Sequence, residues 1–152
     1  MAVQPIPDDY PGATPYLCMV DAAGAIAFYE KAFDGVERMR LCDPSGKIAH
    51  AELMIGDALV MLAEESPEYN AYGPIHFGGS PVRISLYVED VDRVVEQAVA
   101  SGATLAMPVA DQFYGDRSGR IVDPFGHTWI LATRIEDVSP EEMQRRFDEM
   151  TR

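Results

Sequence analysis

Apolar residues recur in a regular pattern from residue 14 onward, and this pattern predicts a strand followed by a helix. Residues 14–20 form a short apolar run. In the segment that follows Asp21, apolar residues recur on one helical face, at Ala22, Ile26, Tyr29 and Phe33. A carboxylate at Asp21 can accept a free N–H at a helix start, and Gly35 suits a helix end. We therefore predict a strand, a capped helix and a core that contains the helical aromatic residues.

The same order of elements returns about 70 residues later. Residues 82–88 alternate between apolar and polar side chains, which is typical of a strand with one buried face. We expect the apolar positions to face helices, namely Val82, Ile84, Leu86 and Val88. Asp90 then precedes a helical segment that closes at Gly102, as Asp21 precedes the first helix.

The later parts of the two halves also correspond. The string DPSGKI at residues 43–48 returns as DRSGRI at residues 116–121, and we expect both to be turns that enter strands. A glycine-marked turn and an apolar strand follow each of them, at residues 55–63 and 124–132. The chain is therefore predicted to contain two copies of a β-α-β-β-β unit.

These repeats predict one α+β domain that contains both modules. A capping box at Ser139 and Glu142 predicts a short C-terminal helix. The predicted segments are an N-terminal extension (1–13), a first module (14–64), a linker loop (65–81), a second module (82–134) and the C-terminal helix (135–152).

Composition narrows the class of partner. The chain has 152 residues, 47% hydrophobic residues and a net charge of −13, which suits a folded domain. This charge disfavours nucleic acids and anionic membranes as partners, because it repels phosphate groups. The N-terminus lacks the basic and apolar regions of a signal peptide, so we expect a cytoplasmic protein. The two cysteines lie far apart in the sequence and are expected to be reduced.

Four segments resemble the PhnB-like branch of the glyoxalase / bleomycin-resistance / dioxygenase (vicinal oxygen chelate) superfamily. They are TPYLCMVDAAGAIAFYEKAF, KIAHAELMIGDALVMLAEE, RISLYVEDVD and YGDRSGRIVDPFGHTWILAT. The resemblance covers roughly residues 14–140. It implies two βαβββ modules that form a curved mixed sheet with a concave cavity, often in a homodimer. It also implies a range of functions that includes metal enzymes and metal-free drug-binding proteins.

The resemblance also implies four positions at which the metal enzymes carry ligands, on the first and last strand of each module. In this sequence they hold Thr14, Met61, Arg83 and Ile130. None of these side chains is a good ligand for a hard or borderline cation, so we expect no metal cofactor. As an alternative, His50 and Glu52 could bind a divalent metal together with Asp116, since their i, i+2 spacing puts them on one strand face.

Strand alternation identifies candidate ligand-binding residues on the cavity side of the sheet. They are Tyr16, Cys18, His50, Glu52, Met61, Arg83, Ser85 and Tyr87. Arg83 could bind a ligand carboxylate or phosphate, or it could pair with Glu52. The residues next to Gly115 allow two interpretations. They could form a ligand-binding rim, or a tight turn closed by an Asp–Arg pair; these residues are Tyr114, Asp116 and Arg117. Trp129 is expected to face the helices.

Three functions remain open. The leading hypothesis is a metal-free protein that sequesters or carries a small, partly aromatic molecule. The alternative is an enzyme: a metal-dependent lyase, isomerase or dioxygenase with non-standard ligands, or a cofactor-free catalyst in which Arg83 stabilises an anion. A regulatory module with a vestigial cavity is the third.

Overall fold

The chain forms two compact units in a computed structural model that describes residues 2–152. One unit ends at Gly79 and the other begins at Ser80. Each contains a four-stranded mixed sheet in which the order of elements is β-α-β-β-β. The α+β class and the two repeated units are therefore confirmed. A cavity shared by both sheets stays a prediction, as do the predicted segment boundaries.

The first unit has strand order β1-β4-β3-β2. Its strands are β1 (Tyr16–Met19), β2 (Val36–Cys42), β3 (Ile48–Ile55) and β4 (Ala58–Glu64), its helices are α1 (Ala22–Phe33) and the single turn α2 (Pro74–Phe77), and a 3-10 turn spans Pro67–Tyr69. β1 runs parallel to β4, and the other pairs are antiparallel. This order makes β1 and β2 the edge strands and places β4 and β3 between them.

The second unit repeats this arrangement with strand order β5-β8-β7-β6. Its strands are β5 (Arg83–Tyr87), β6 (Thr104–Asp111), β7 (Asp116–Val122) and β8 (Thr128–Arg134), and its helices are α3 (Val91–Ala100) and α4 (Pro140–Met150). β5 is parallel to β8, as β1 is to β4. The predicted C-terminal helix is present, and the Ser139 hydroxyl accepts a hydrogen bond from the Glu142 N–H at 3.2 Å.

Local side-chain contacts explain where α1 begins and ends. The Asp21 carboxylate accepts a hydrogen bond from the Gly24 N–H at 3.0 Å, as the predicted N-cap requires. At the other end the left-handed residue is Asp34, with φ 54°, and the Gly35 N–H donates to the Tyr29 carbonyl at 3.1 Å. Gly35 is thus the residue after the left-handed cap rather than the cap itself.

Each core lies between one sheet face and its helix. In the first unit Leu17 and Met19 are buried beneath α1 with the predicted helical aromatic residues. In the second, Trp129 is buried on the face of β8 that carries Leu131 and donates a hydrogen bond from Nε1 to Asp123 at 3.0 Å. Ile84 and Leu86 are more buried than their polar neighbours, as predicted. Val82 is an exception, because it precedes β5 and is exposed.

The segment predicted as a linker loop is ordered in part. It contains the 3-10 turn and α2, which packs near β1. The Glu65 carboxylate accepts a hydrogen bond from the Gly73 N–H at 2.8 Å, and the Tyr72 and His76 rings stack with centroids 3.9 Å apart. These local contacts determine the backbone conformation of the segment, which its Pro and Gly content alone does not predict.

The predicted match between residues 43–48 and 116–121 is wrong in its details. Residues 43–47 form the β2–β3 turn, whereas residues 116–121 lie within β7. The true counterpart of the DPSGK turn is DPFGH at residues 123–127, between β7 and β8. In both turns the aspartate carboxylate accepts the backbone N–H groups of the second and fourth residues after it. The same turn thus occurs at two different positions in the repeat.

Candidate ligand-binding site

The sheet face opposite α1 brings together most of the predicted residues of the first unit. Met61 pairs with both Tyr16 and Glu52, so the three residues lie side by side across β1, β4 and β3. His50 is two positions from Glu52 on the same face. We call this surface the Glu52 face, and its members are Tyr10, Tyr16, Arg38, His50, Glu52 and Met61.

Glu52 is the buried centre of this face. Glu52 is only 2% exposed. Its Oε1 accepts hydrogen bonds from the Tyr10 hydroxyl at 2.7 Å and from His50 Nε2 at 3.2 Å. The other oxygen, Oε2, has no hydrogen-bond partner, and Arg38 Nε lies 3.8 Å from it. A buried carboxylate oxygen without a hydrogen bond is uncommon, because no hydrogen-bond donor offsets the free-energy cost of removing it from water.

The surrounding donors keep Glu52 ionised. The hydrogen bond from Tyr10 lowers the pKa of Glu52, and His50 and Arg38 act in the same direction against the opposing effect of burial. The same hydrogen bond raises the pKa of Tyr10. Glu52 is therefore a carboxylate that accepts hydrogen bonds and cannot donate one.

The ionised Glu52 determines which tautomer of a neutral His50 fits the hydrogen bonds. A carboxylate can only accept, so His50 Nε2 must carry the hydrogen in their contact. In a neutral imidazole the other nitrogen, Nδ1, is then an acceptor. The Tyr16 hydroxyl lies 2.6 Å from Nδ1 and is accordingly the donor. Desolvation raises the pKa of Tyr16, which keeps this phenol protonated.

The N-terminal segment completes the face with residues that sequence reasoning missed. Arg38 on β2 bonds to Asp9 with Nη2 2.7 Å from Oδ2, and its guanidinium lies 5.6 Å from the centre of the Tyr10 ring. Arg38 is the cation beside Glu52 within its own unit, and the Arg83–Glu52 pair stays a prediction. The pairing register of β2 shifts between Glu37 and Met39, at Arg38 itself, and simple alternation cannot show this irregularity.

A second polar and aromatic surface lies on the sheet of the second unit. The Tyr87 hydroxyl donates to Asp116 Oδ2 at 2.7 Å, and the Tyr114 hydroxyl lies 3.3 Å from the Ser118 hydroxyl. Asp116 is buried, whereas Arg83, Ser85 and Tyr87 are exposed on β5. The hydrogen bond to Asp116 raises the pKa of Tyr87.

Arg117 lies apart from this surface. Its guanidinium bonds to Asp92 on α3 at 2.7 Å and to Asp111 at 2.9 Å, and these contacts raise its pKa. Neighbouring residues of a strand point to opposite faces, so Arg117 faces away from Asp116. The ligand-binding rim and the tight turn closed by an Asp–Arg pair both stay predictions.

Matching register positions carry different chemistry in the two units. In the first unit the row across the sheet is Tyr16, Met61 and Glu52. The equivalent row in the second unit is Ser85, Ile130 and Arg120. The negatively charged Glu52 in one unit therefore corresponds to the positively charged Arg120 in the other. The two faces are not copies of one binding site.

The residues at the superfamily's usual ligand positions do not fit a metal ion. Met61 lies between Tyr16 and Glu52, Arg83 pairs with Thr128, and Ile130 has no donor atom. Among residues 2–152 no group of three or more His, Cys, Asp or Glu side chains is arranged to hold a metal. His50 and Glu52 bond to each other, and Arg38 faces the remaining carboxylate oxygen, which disfavours a cation there.

The chain belongs to the Glyoxalase/Bleomycin resistance protein/Dioxygenase superfamily, whose family model matches residues 14–131. An uncharacterized protein of Mycobacterium tuberculosis is 43% identical over 137 residues, which cover 88% of this chain and 81% of that protein. No helix in residues 2–152 is long and apolar enough to cross a membrane.

Solved structures share the fold. The crystal structure of an Arabidopsis thaliana gene product matches with a TM-score of 0.66 and 25% identity, over 81% of this chain and 98% of that one. The PhnB protein of Bacillus cereus matches with a TM-score of 0.65 and 18% identity, over 80% of this chain and 98% of that one. The predicted resemblance to the superfamily and to its PhnB-like members is thereby confirmed at the level of the fold.

Proposed function

We propose that this protein binds a small, partly aromatic molecule on the Glu52 face without a metal ion, and that it sequesters or carries this molecule. The observation that carries the proposal is the buried Glu52 carboxylate, whose Oε2 has no hydrogen-bond partner. A ligand N–H or O–H donor that reaches this oxygen would satisfy it.

The neighbouring side chains suit such a ligand. Tyr16 is 54% exposed and offers an aromatic ring, while the half-buried Met61 and Cys18 add soft apolar surface. Aromatic and sulfur-containing side chains around a few polar groups are typical of small-molecule sites. The proposed site thus combines apolar contact with one strongly directional acceptor.

Taken by itself, the second unit carries the other candidate ligand-binding residues of this proposal. Arg83 is exposed on β5 beside Ser85, and a guanidinium binds a ligand carboxylate or phosphate well. Tyr87, Tyr114 and Asp116 add phenol and carboxylate groups. We further propose that the protein acts in the cytoplasm as a homodimer, which cell fractionation and light scattering can test.

Binding by protein purified without a histidine tag and treated with a chelator tests the proposal. We expect aromatic ligands from a screen by ligand-observed NMR to bind, and Glu52→Gln to weaken them about tenfold because an amide is a poorer acceptor than a carboxylate. Tyr69→Phe is a control substitution that should leave binding unchanged, since Tyr69 is 82% exposed and lies in the 3-10 turn.

The metal-dependent alternative predicts a different result. If plasma mass spectrometry finds about one metal per chain, and His50→Ala abolishes both this metal and ligand binding, the metal-free proposal is wrong. We expect instead that added Mn, Fe, Ni, Co and Zn ions leave the melting temperature and ligand affinity unchanged.

A further inference from the structure

Tyr16, His50 and Glu52 form a continuous hydrogen-bonded chain from the surface to the buried part of the Glu52 face. The Tyr16 hydroxyl is 2.6 Å from His50 Nδ1, and His50 Nε2 is 3.2 Å from Glu52 Oε1. Exposure falls along the chain, from the open Tyr16 through half-buried His50 to buried Glu52. A phenol, an imidazole and a carboxylate in this order can move a proton inward.

The direction of the hydrogens prepares the chain for this role. Because Glu52 only accepts, His50 Nδ1 is the acceptor of the Tyr16 hydrogen. The lone pairs of the Tyr16 oxygen are then free to accept a hydrogen bond from a ligand at the exposed surface. Before any proton moves, the Tyr16 oxygen can therefore accept a proton from a ligand bound beside it. His50 is the base that can take the proton of Tyr16 in turn.

We infer that this chain removes the proton from a weakly acidic hydroxyl of the bound molecule, such as a phenol or an enol. This inference rests on the proposed function, because it concerns the ligand of the same face. The ligand O–H bond breaks and its proton passes to the Tyr16 oxygen, while the Tyr16 proton passes to His50 Nδ1. The ligand remains as an oxyanion, and His50 becomes an imidazolium beside the Glu52 carboxylate.

The charges around the chain favour the product of this transfer. Glu52 stabilises the imidazolium, and the imidazolium in turn lies near the ligand oxyanion. Other charged or titratable groups near these three residues are Tyr10, Arg38, Asp9 and Cys18. The charged side chains that act on Cys18 are Glu64, Glu65 and Lys47. Arg38 forms an ion pair with Asp9, so the positive and negative charges of these two side chains largely offset each other.

The second unit lacks an equivalent chain. Its exposed phenol, Tyr87, bonds directly to the Asp116 carboxylate, with no imidazole between them. A carboxylate is a much weaker base than an imidazole, so it holds the phenol hydrogen without removing a proton from a ligand. The inferred transfer is therefore a property of the Glu52 face alone.

Titration with p-nitrophenol tests the inference, because the phenolate absorbs visible light and the phenol does not. At a pH below the pKa of the free probe, we expect the full-length protein to raise the phenolate-to-phenol ratio of bound probe about tenfold, which corresponds to about one pKa unit. Isothermal calorimetry measures binding independently of ionisation. Tyr16→Phe is expected to bind the probe but to lose the absorbance increase, and Tyr69→Phe is expected to behave as wild type.

The outcomes separate the inference from the proposed function. If p-nitrophenol binds but stays protonated, or if Tyr16→Phe ionises it as well as wild type does, the proton chain is wrong and the binding site stands. If neither p-nitrophenol nor any other aromatic ligand binds, the proposed function fails and the inference with it. Loss of the absorbance increase in Glu52→Gln at saturating p-nitrophenol, with the circular dichroism spectrum retained, would support Glu52 as the residue that positions His50.

Discussion

Tyr10 in the N-terminal segment donates a hydrogen bond of 2.7 Å to Glu52 on β3, 42 residues further along the chain. This contact joins a segment without regular secondary structure to the buried carboxylate of the Glu52 face. Arg38 strengthens the connection, because it bonds to Asp9 and lies over the Tyr10 ring. The N-terminal segment is thus part of the candidate site.

We expect Tyr10→Phe to destabilise the protein, because it removes one of the two donors to a buried carboxylate. Urea denaturation monitored by circular dichroism should show a lower midpoint than wild type. Tyr69→Phe removes an exposed hydroxyl of the same type and should leave the midpoint unchanged. An equal effect of the two substitutions would mean that the Tyr10–Glu52 bond adds no stability.

Acid should weaken the protein partly through Glu52. Folding lowers the pKa of Glu52 from its ordinary value of 4.5, chiefly through the Tyr10 hydrogen bond. The stabilisation that ionised Glu52 provides is therefore fully present above pH 4.5. It is lost as the pH falls through the lower pKa that Glu52 has in the folded state. We expect the stability difference between wild type and Glu52→Gln to shrink on acidification from neutral pH to about pH 3, in denaturation experiments at each pH.

A constant difference over this range would contradict the assignment. Other carboxylates also contribute to the loss of stability in acid; for example, the Arg145 and Arg146 side chains lower the pKa of Glu142 from 4.5 to about 2. They are present in both proteins, however, so the difference between wild type and variant isolates Glu52.

The two equivalent turns provide a matched pair of substitutions. Asp123 is buried and accepts hydrogen bonds from Phe125, His127 and Trp129. Asp43 caps the same kind of turn but is exposed. We expect Asp123→Ala to lower the free energy of unfolding by about 3 kcal/mol, because buried donors lose their acceptor. Asp43→Ala should cost clearly less, and a similar loss in both variants would show that burial of the Asp123 contacts is unimportant.

The tautomer of His50 can be observed directly. In the neutral imidazole we expect the hydrogen on Nε2, since the Glu52 carboxylate only accepts. Long-range 15N–1H correlation spectra distinguish the two ring nitrogens. Glu52→Gln should produce a mixture of tautomers, because an amide can either donate or accept. A hydrogen on Nδ1 in the neutral wild-type ring would overturn the direction of the proton chain.

The repeated fold could be predicted because its signals are local. Asp21 and Asp90 each cap a helix, and alternation along β1 and β5 separates the helix-facing residues from the exposed ones. The detailed match of the later segments failed because the Asp-Pro-x-Gly turn occurs before β3 in one unit and before β8 in the other. Sequence similarity there reflects turn chemistry rather than position in the fold.

The candidate site could be predicted only in part. The shared face of His50 and Glu52 follows from their spacing on a strand. Tyr10 could not be assigned, because its contact with Glu52 spans 42 residues. Strand alternation could have separated Arg117 from Asp116, but interpreting residues 116–121 as a turn removed that information.

The most direct test of the central claim is an amide chemical-shift titration of chelator-treated protein with p-nitrophenol. The account predicts saturable shifts centred on residues 16, 50, 52 and 61, in the absence of any divalent metal. Shifts that appear only after a metal is added, or that lie wholly outside the Glu52 face, would contradict metal-free binding at this site.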